Sequence, residues 1–134
     1  MAKTTNTEAN YKVTISTCSK ELSAIEKIKL KDLSDAIKLD AVTKTEGDLI
    51  INPAYYAVVD VHNEKSDDKD YKNYVIVDKN GTKYYTGSQS FWSAFTNIMD
   101  ELASAGVEED VMLKAYRLPS KNREGKEFIT CSLA

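Results

Sequence analysis

The sequence predicts a mainly β fold carrying one long helix, and three observations predict it. Tyr71 to Val77 and Thr82 to Thr86 are short runs rich in β-branched and aromatic residues, which suit pleated, half-buried surfaces. Between them, Asp78-Lys79-Asn80-Gly81 supplies turn chemistry, because Asn and Gly tolerate the positive φ that tight hairpins need. Immediately after Gly87-Ser88, Phe91, Phe95, Ile98 and Leu102 fall at i, i+4, i+7 and i+11, one face of a helix.

The remaining elements follow in chain order. Residues 1–10 are polar and expected to fray. Tyr11, Val13, Ile15 and Thr17 alternate with polar residues, as in a short strand. Leu22, Ile25 and Ile28, then Leu30, Leu33 and Ile37, keep helical spacing over one or two amphipathic turns. Glu46-Gly47-Asp48 marks a turn, and Asn52-Pro53 ends the apolar run Leu49-Ile50-Ile51. Ala54 to His62 reads as a strand with Ala57, Val59 and Val61 on one face and Tyr56, Val58, Asp60 and His62 on the other. Asn63 to Asp70 has no apolar residue and is expected in water. Gly106 is suited to stop the long helix. Val111 to Tyr116 alternates as a strand, Pro119 to Lys126 is a basic loop, and Phe128 to Leu133 closes the chain as a last strand.

From Ala54 onward the order is three strands, a helix and two strands. That is the order of an OB-fold, a five-stranded, partly open barrel with its helix between strands 3 and 4. A helix packed on an antiparallel α+β sheet satisfies the same pattern. The 134 residues make one domain by length, with residues 1–53 an N-terminal strand and helix extension and residues 54–134 the OB-like barrel.

Composition narrows the function. With 42% hydrophobic and 29% charged residues, the chain is composed like a globular protein and unlike a disordered one. It lacks the run of about 20 apolar residues that a membrane span requires, and its first residues lack the apolar stretch of a secretory signal. Cys18 and Cys131 are therefore expected to stay reduced in a cytoplasm. The only histidine is His62, and no metal-binding, calcium-loop, phosphate-loop or dinucleotide motif occurs, so neither catalysis nor a cofactor or metal is expected. A net charge of −3 argues mildly against a nucleic-acid partner. That charge is uneven: Val111 to Ala134 carries +3 and the rest −6.

The aromatic residues point to binding. Tyr55, Tyr56, Tyr71, Tyr74, Tyr84, Tyr85 and Tyr116 all fall on expected strands, and strand-borne aromatics are where OB barrels stack unpaired bases. If Val75 and Val77 face inward, Lys72, Tyr74 and Ile76 face outward. Lys83 is expected in water with Tyr85 beside it, giving a patch of Lys72, Tyr74, Lys83 and Tyr85. The register stays open, since a turn of Asn80-Gly81 and one of Lys79-Asn80-Gly81 exchange the places of Tyr85 and Tyr84. Lys121 and Arg123 lie in the loop between the fourth and fifth barrel strands, another place where OB-folds meet oligonucleotides. Lys114 and Tyr116 on the fourth strand complete the candidate set. Phe91 and Trp92, which open the helix, are expected to pack on the barrel. The same tyrosines also suit a protein interface.

Four stretches resemble phage-encoded single-stranded DNA-binding proteins from phages of Gram-positive bacteria: His62 to Lys65, Tyr71 to Gly81, Lys83 to Phe91 and Ser120 to Cys131. Ser19 to Asp40 extends the resemblance more weakly. It implies an OB-type protein that coats single-stranded DNA without sequence preference during phage replication or recombination, in the cytoplasm of the infected cell. It also implies partners among phage or host replication and recombination proteins, and an oligomer is compatible with it. The resemblance would place Lys72, Tyr74, Lys83, Tyr84 and Tyr85, with Lys121 and Arg123, at the strand and loop positions such proteins use. The flexible acidic C-terminal tail of the bacterial proteins has no counterpart in Ser132-Leu133-Ala134, so recruitment of partners by that route is not expected. A small phage module that binds a replication or defence protein is the competing reading.

Overall fold

The computed structural model describes residues 11–67, 69–107, 110–122 and 124–134. In chain order they form β1 (Tyr11–Cys18), α1 (Ala24–Lys31), β2 (Ile37–Lys38), α2 (Leu39–Glu46), β3 (Leu49–Ile51) and β4 (Pro53–Asn63). There follow β5 (Asp70–Asp78), β6 (Lys83–Thr86), α3 (Gln89–Ser104), β7 (Leu113–Pro119) and β8 (Glu127–Leu133). Five strands pair in the order β1-β4-β5-β6-β2 and three in the order β3-β7-β8. The fold is thus mainly β with two sheets, and among the described residues neither closes into the expected barrel. Residues 11–51 supply three of the paired strands: β1 lies along β4, β2 runs parallel to β6, and β3 pairs with β7.

The two sheets are joined by one nearly continuous stretch of chain. Only Asn52 separates β3, which pairs with β7, from β4, which pairs with β5. Asp78 holds this bend: its carboxylate accepts the Asn52 N–H at 2.8 Å and, in the adjoining hairpin, the Asn80 N–H at 2.9 Å. The hairpin turn is Lys79-Asn80-Gly81. Asp78 N–H donates to the Thr82 carbonyl and Gly81 N–H to the Asp78 carbonyl, both at 2.8 Å, with Gly81 at φ 94°. A side chain at Gly81 would be strained in that left-handed backbone. The three-residue turn sets Val75 opposite Tyr85 and Ile76 opposite Tyr84.

Helices depend on their ends: α1 and α3 start on side-chain caps, whereas α2 starts at Lys38 without one. Ser23 and Glu26 form a capping box at the start of α1, each side chain accepting the other's backbone N–H at 3.2 and 3.0 Å. Ser88 caps α3 by accepting the Phe91 N–H at 3.2 Å. At its other end Val107 N–H donates to Leu102 and Gly106 N–H to Ala103, a Schellman closure with Gly106 at φ 70°.

Burial on both faces of the large sheet corrects the expected face assignment. One face packs Ile76 and Tyr84 against Phe91 and Phe95 of α3 and against Leu113, Ala115, Ile129 and Cys131 of the small sheet. The other packs Ala57, Val59, Val61 and Val75 against Leu22 and Leu30 of the α1 region. Tyr74 and Ile76 therefore do not face water, and Tyr74 is only 8% exposed. Ring planes account for this: Tyr74 stacks on Trp92 at 4.9 Å and 15°. Ile25 and Ile28, expected on the apolar face of their helix, instead point outward at 66% and 68% exposure, because an eight-residue helix on one sheet face turns mainly Leu30 inward.

Candidate nucleic-acid interface

A notch opens where β6 ends. β5 pairs with β6 only as far as Tyr74 opposite Thr86, so Tyr71, Lys72 and Asn73 have no β6 partner. The chain turns away at Gly87, where a Cβ would sit 3.8 Å from the Lys72 carbonyl oxygen. The resulting cleft of about 470 Å³ is lined by Lys38, Tyr71, Lys72, Tyr74, Tyr85 and Gln89, together with Asn73 and Gly87. Strand alternation explains the mix. Tyr71, Asn73 and Tyr85 come from one face of the sheet and Lys72 and Tyr74 from the other, and the notch cuts through the edge between them. Lys38 joins because β2 places it opposite Tyr85.

The electrostatics leave this notch without a lining carboxylate among the described residues. Lys72 Nζ lies 2.7 Å from Asp60 Oδ1, with both side chains about half exposed, and this hydrogen bond raises the lysine pKa above its ordinary value. Exposed ion pairs of this kind are weak, so the ammonium is free to exchange partners. Asp70 is held by His62: its Oδ1 lies 2.7 Å from His62 Nδ1, while Glu64 Oε2 lies 2.6 Å from Nε2. Those two carboxylates, Asp70 first, raise the His62 pKa above its ordinary value.

That bridge gives a pH dependence. A histidine whose pKa is raised on folding contributes stability below its unfolded value of about 6.5 and loses it as pH climbs through the folded value. Glu64 is held below the usual carboxylate range by the same bridge, so it remains charged in mild acid. Lys12, opposite His62 in the register, and Lys69, 3.5 Å from Glu64, are the cations beside it. Replacing His62 by Gln is expected to lower the melting temperature more at about pH 5.5 than at about pH 9. An equal loss at both would mean that the bridge carries no stability.

The nine residues singled out in the sequence do not form one patch. Lys72, Tyr74 and Tyr85 meet in the notch. Tyr84 lies opposite Ile76 in the core, and burial raises the pKa of its phenol. Lys83 was expected in water, but its side chain is 14% exposed on the opposite face from Lys72 and Tyr74. Its ammonium donates to the Lys29 and Asp32 carbonyls at the end of α1, where the last carbonyls lack i+4 partners within the helix. Lys114 and Tyr116 lie on the outer face of the small sheet, the ammonium 5.0 Å from the ring centroid. Lys121 borders a groove of about 610 Å³ with Leu118, Pro119 and Phe128. Arg123 lies outside the described residues.

Sequence reasoning missed Lys38 and Gln89, and counted Tyr71 among the strand tyrosines without placing it in the site. Lys38 had no signal, since β2 is two residues long and pairs in parallel with a strand far along the chain. Cys131 is buried, and burial pushes its thiol up to about 11, far from a reactive thiolate at neutral pH. No described helix is long and apolar enough to cross a membrane. Comparison with protein-family models, curated proteins and solved structures finds no match to this chain.

Proposed function

We propose that this protein binds single-stranded DNA with little sequence preference, as a binding protein and not an enzyme. The observation that carries the proposal is the notch, which gathers Tyr71, Tyr74 and Tyr85 with Lys38 and Lys72 and no carboxylate among its described lining residues. Aromatic faces accept any unpaired base, and ammonium groups accept the backbone that joins the bases.

An OB-type reading of the fold draws support from β3 and β4, whose shared run pairs with both β5 and β7, and from the order β4, β5, β6, α3, β7, β8. The resemblance in Tyr71 to Gly81 and Lys83 to Phe91 covers the strands that form the notch. On this reading the protein coats single strands during phage replication or recombination in the cytoplasm of the infected cell, alongside phage or host replication proteins. A specific observation favours the competing protein-interaction reading: the outer face of the small sheet exposes Ile50, Leu118 and Phe128.

Anisotropy titrations of fluorescein-labelled oligo-dT and of a duplex, each at two salt concentrations, separate the readings. Tighter binding of the single strand, weakening steeply with salt, is expected because phosphate contacts release counterions. Equal or tighter binding of the duplex would overturn the proposal, and salt-insensitive or absent binding of oligo-dT would favour the protein interface.

A further inference from the structure

The notch has a basic neighbour at the other end of α2. A second cavity, of about 590 Å³, is lined by Lys44, Arg117, Ser120, Lys126 and Glu127. Three cations thus face one carboxylate, and that carboxylate is already 3.8 Å from Arg117. Lys44 lies in the last turn of α2, whereas Lys38, which lines the notch, immediately precedes its first residue. Six residues at about 1.5 Å each separate the two lysines by roughly 9 Å along the helix. Between them Ala41 is exposed and offers no bulk, while Asp40 is half-buried, its carboxylate engaged by Thr86.

Hydrogen bonds fix α2 between the two cavities. Thr86, the last residue of β6 and thus the edge of the notch, donates its hydroxyl to Asp40 Oδ1 at 2.7 Å. Arg117 of β7 donates Nε to the Thr43 hydroxyl at 3.1 Å and a terminal nitrogen to the Asp40 carbonyl. The guanidinium is therefore held by neutral oxygens of α2 while its charge contributes to the cavity. Thr86 and Thr43 are both buried, so these hydrogen bonds tie α2 to the end of β6 and to β7 away from water.

We infer that the cavity beneath α2 is a phosphate-binding site for the same nucleic-acid strand, which leaves the notch past Lys38 and runs along α2 to Lys44, Arg117 and Lys126. This inference rests on the single-strand reading of the notch. It gives the N-terminal part of the chain a binding role: α2 supplies a cation to each end of the track. It also predicts a length dependence, because a short oligonucleotide fills the notch alone and a longer one reaches the cavity.

The test uses the whole protein, oligo-dT of about 5 and about 15 nucleotides, and the double variant Lys44→Ala with Lys126→Ala. Both side chains are exposed, so the fold is expected to hold, as a thermal melt checks. Loss of two phosphate contacts flattens the log K against log salt slope for the long oligonucleotide by about 1.4, at about 0.7 per contact on single strands. Binding of the short one should be unchanged. The double variant Lys27→Ala with Lys29→Ala removes the same charge from α1 and should alter neither. An unchanged slope for the long oligonucleotide overturns the inference and leaves the notch reading standing, as does an equal loss from the α1 variant. Failure of the wild-type protein to bind either oligonucleotide overturns the single-strand reading and this inference with it.

Discussion

Replacing Phe95 by Ala is expected to cost about 3 to 5 kcal/mol of folding stability, the range for deleting a buried aromatic ring. Phe95 is fully buried and lies where the large sheet, α3 and the small sheet meet. Its ring centroid is 5.0 Å from Tyr56, 5.2 Å from Trp92 and 6.0 Å from Phe91. The truncation leaves a cavity that these flat rings cannot refill without leaving their rotamers. Tyr74→Ala should also destabilise, but by less, because Tyr74 stacks on Trp92 at the rim of the same cluster and lines the notch. Urea denaturation of the two variants measures both. A midpoint for Phe95→Ala within error of the wild type would show that the aromatic cluster does not hold the sheets together.

Tyr74 also shows why sequence resolved the strands better than their surroundings. The strands of the Tyr71 to Thr86 hairpin, the long helix and its Gly106 stop were all readable, because each rests on local periodicity and turn chemistry. Which strand face is covered is decided by distant segments. Val75-Ile76-Val77 is an unbroken apolar run, a pattern that suits a strand buried on both sides. Assigning one face to water required Tyr74 to be exposed, and α3 covers it instead. Lys83 misled for a related reason: a charge usually seeks water, but the backbone carbonyls at the end of α1 serve it as well. The notch was legible only in pieces. Lys72, Tyr74 and Tyr85 were named from strand positions, but an opening made by β6 being shorter than β5 is a matter of pairing, and pairing is non-local.

Tyr71→Ala and Tyr84→Ala should therefore give opposite results. Tyr71 is 37% exposed and lines the notch. Its removal is expected to weaken oligo-dT binding by about 1 to 3 kcal/mol, the cost of one lost base stack, with little change in melting temperature. Tyr84 stands one residue before Tyr85, and the three-residue turn sends it to the core opposite Ile76. Its removal should lower stability, and binding should persist once measured well below the melting transition. Anisotropy titration and thermal melts on the same two proteins report both quantities. If Tyr84→Ala abolishes binding with the fold intact, bases stack somewhere other than the notch. If Tyr71→Ala leaves affinity untouched while the wild-type protein binds tightly, the notch is not the platform, and the outer face of β7 and β8, with Tyr116 and Phe128, takes its place as the surface to test.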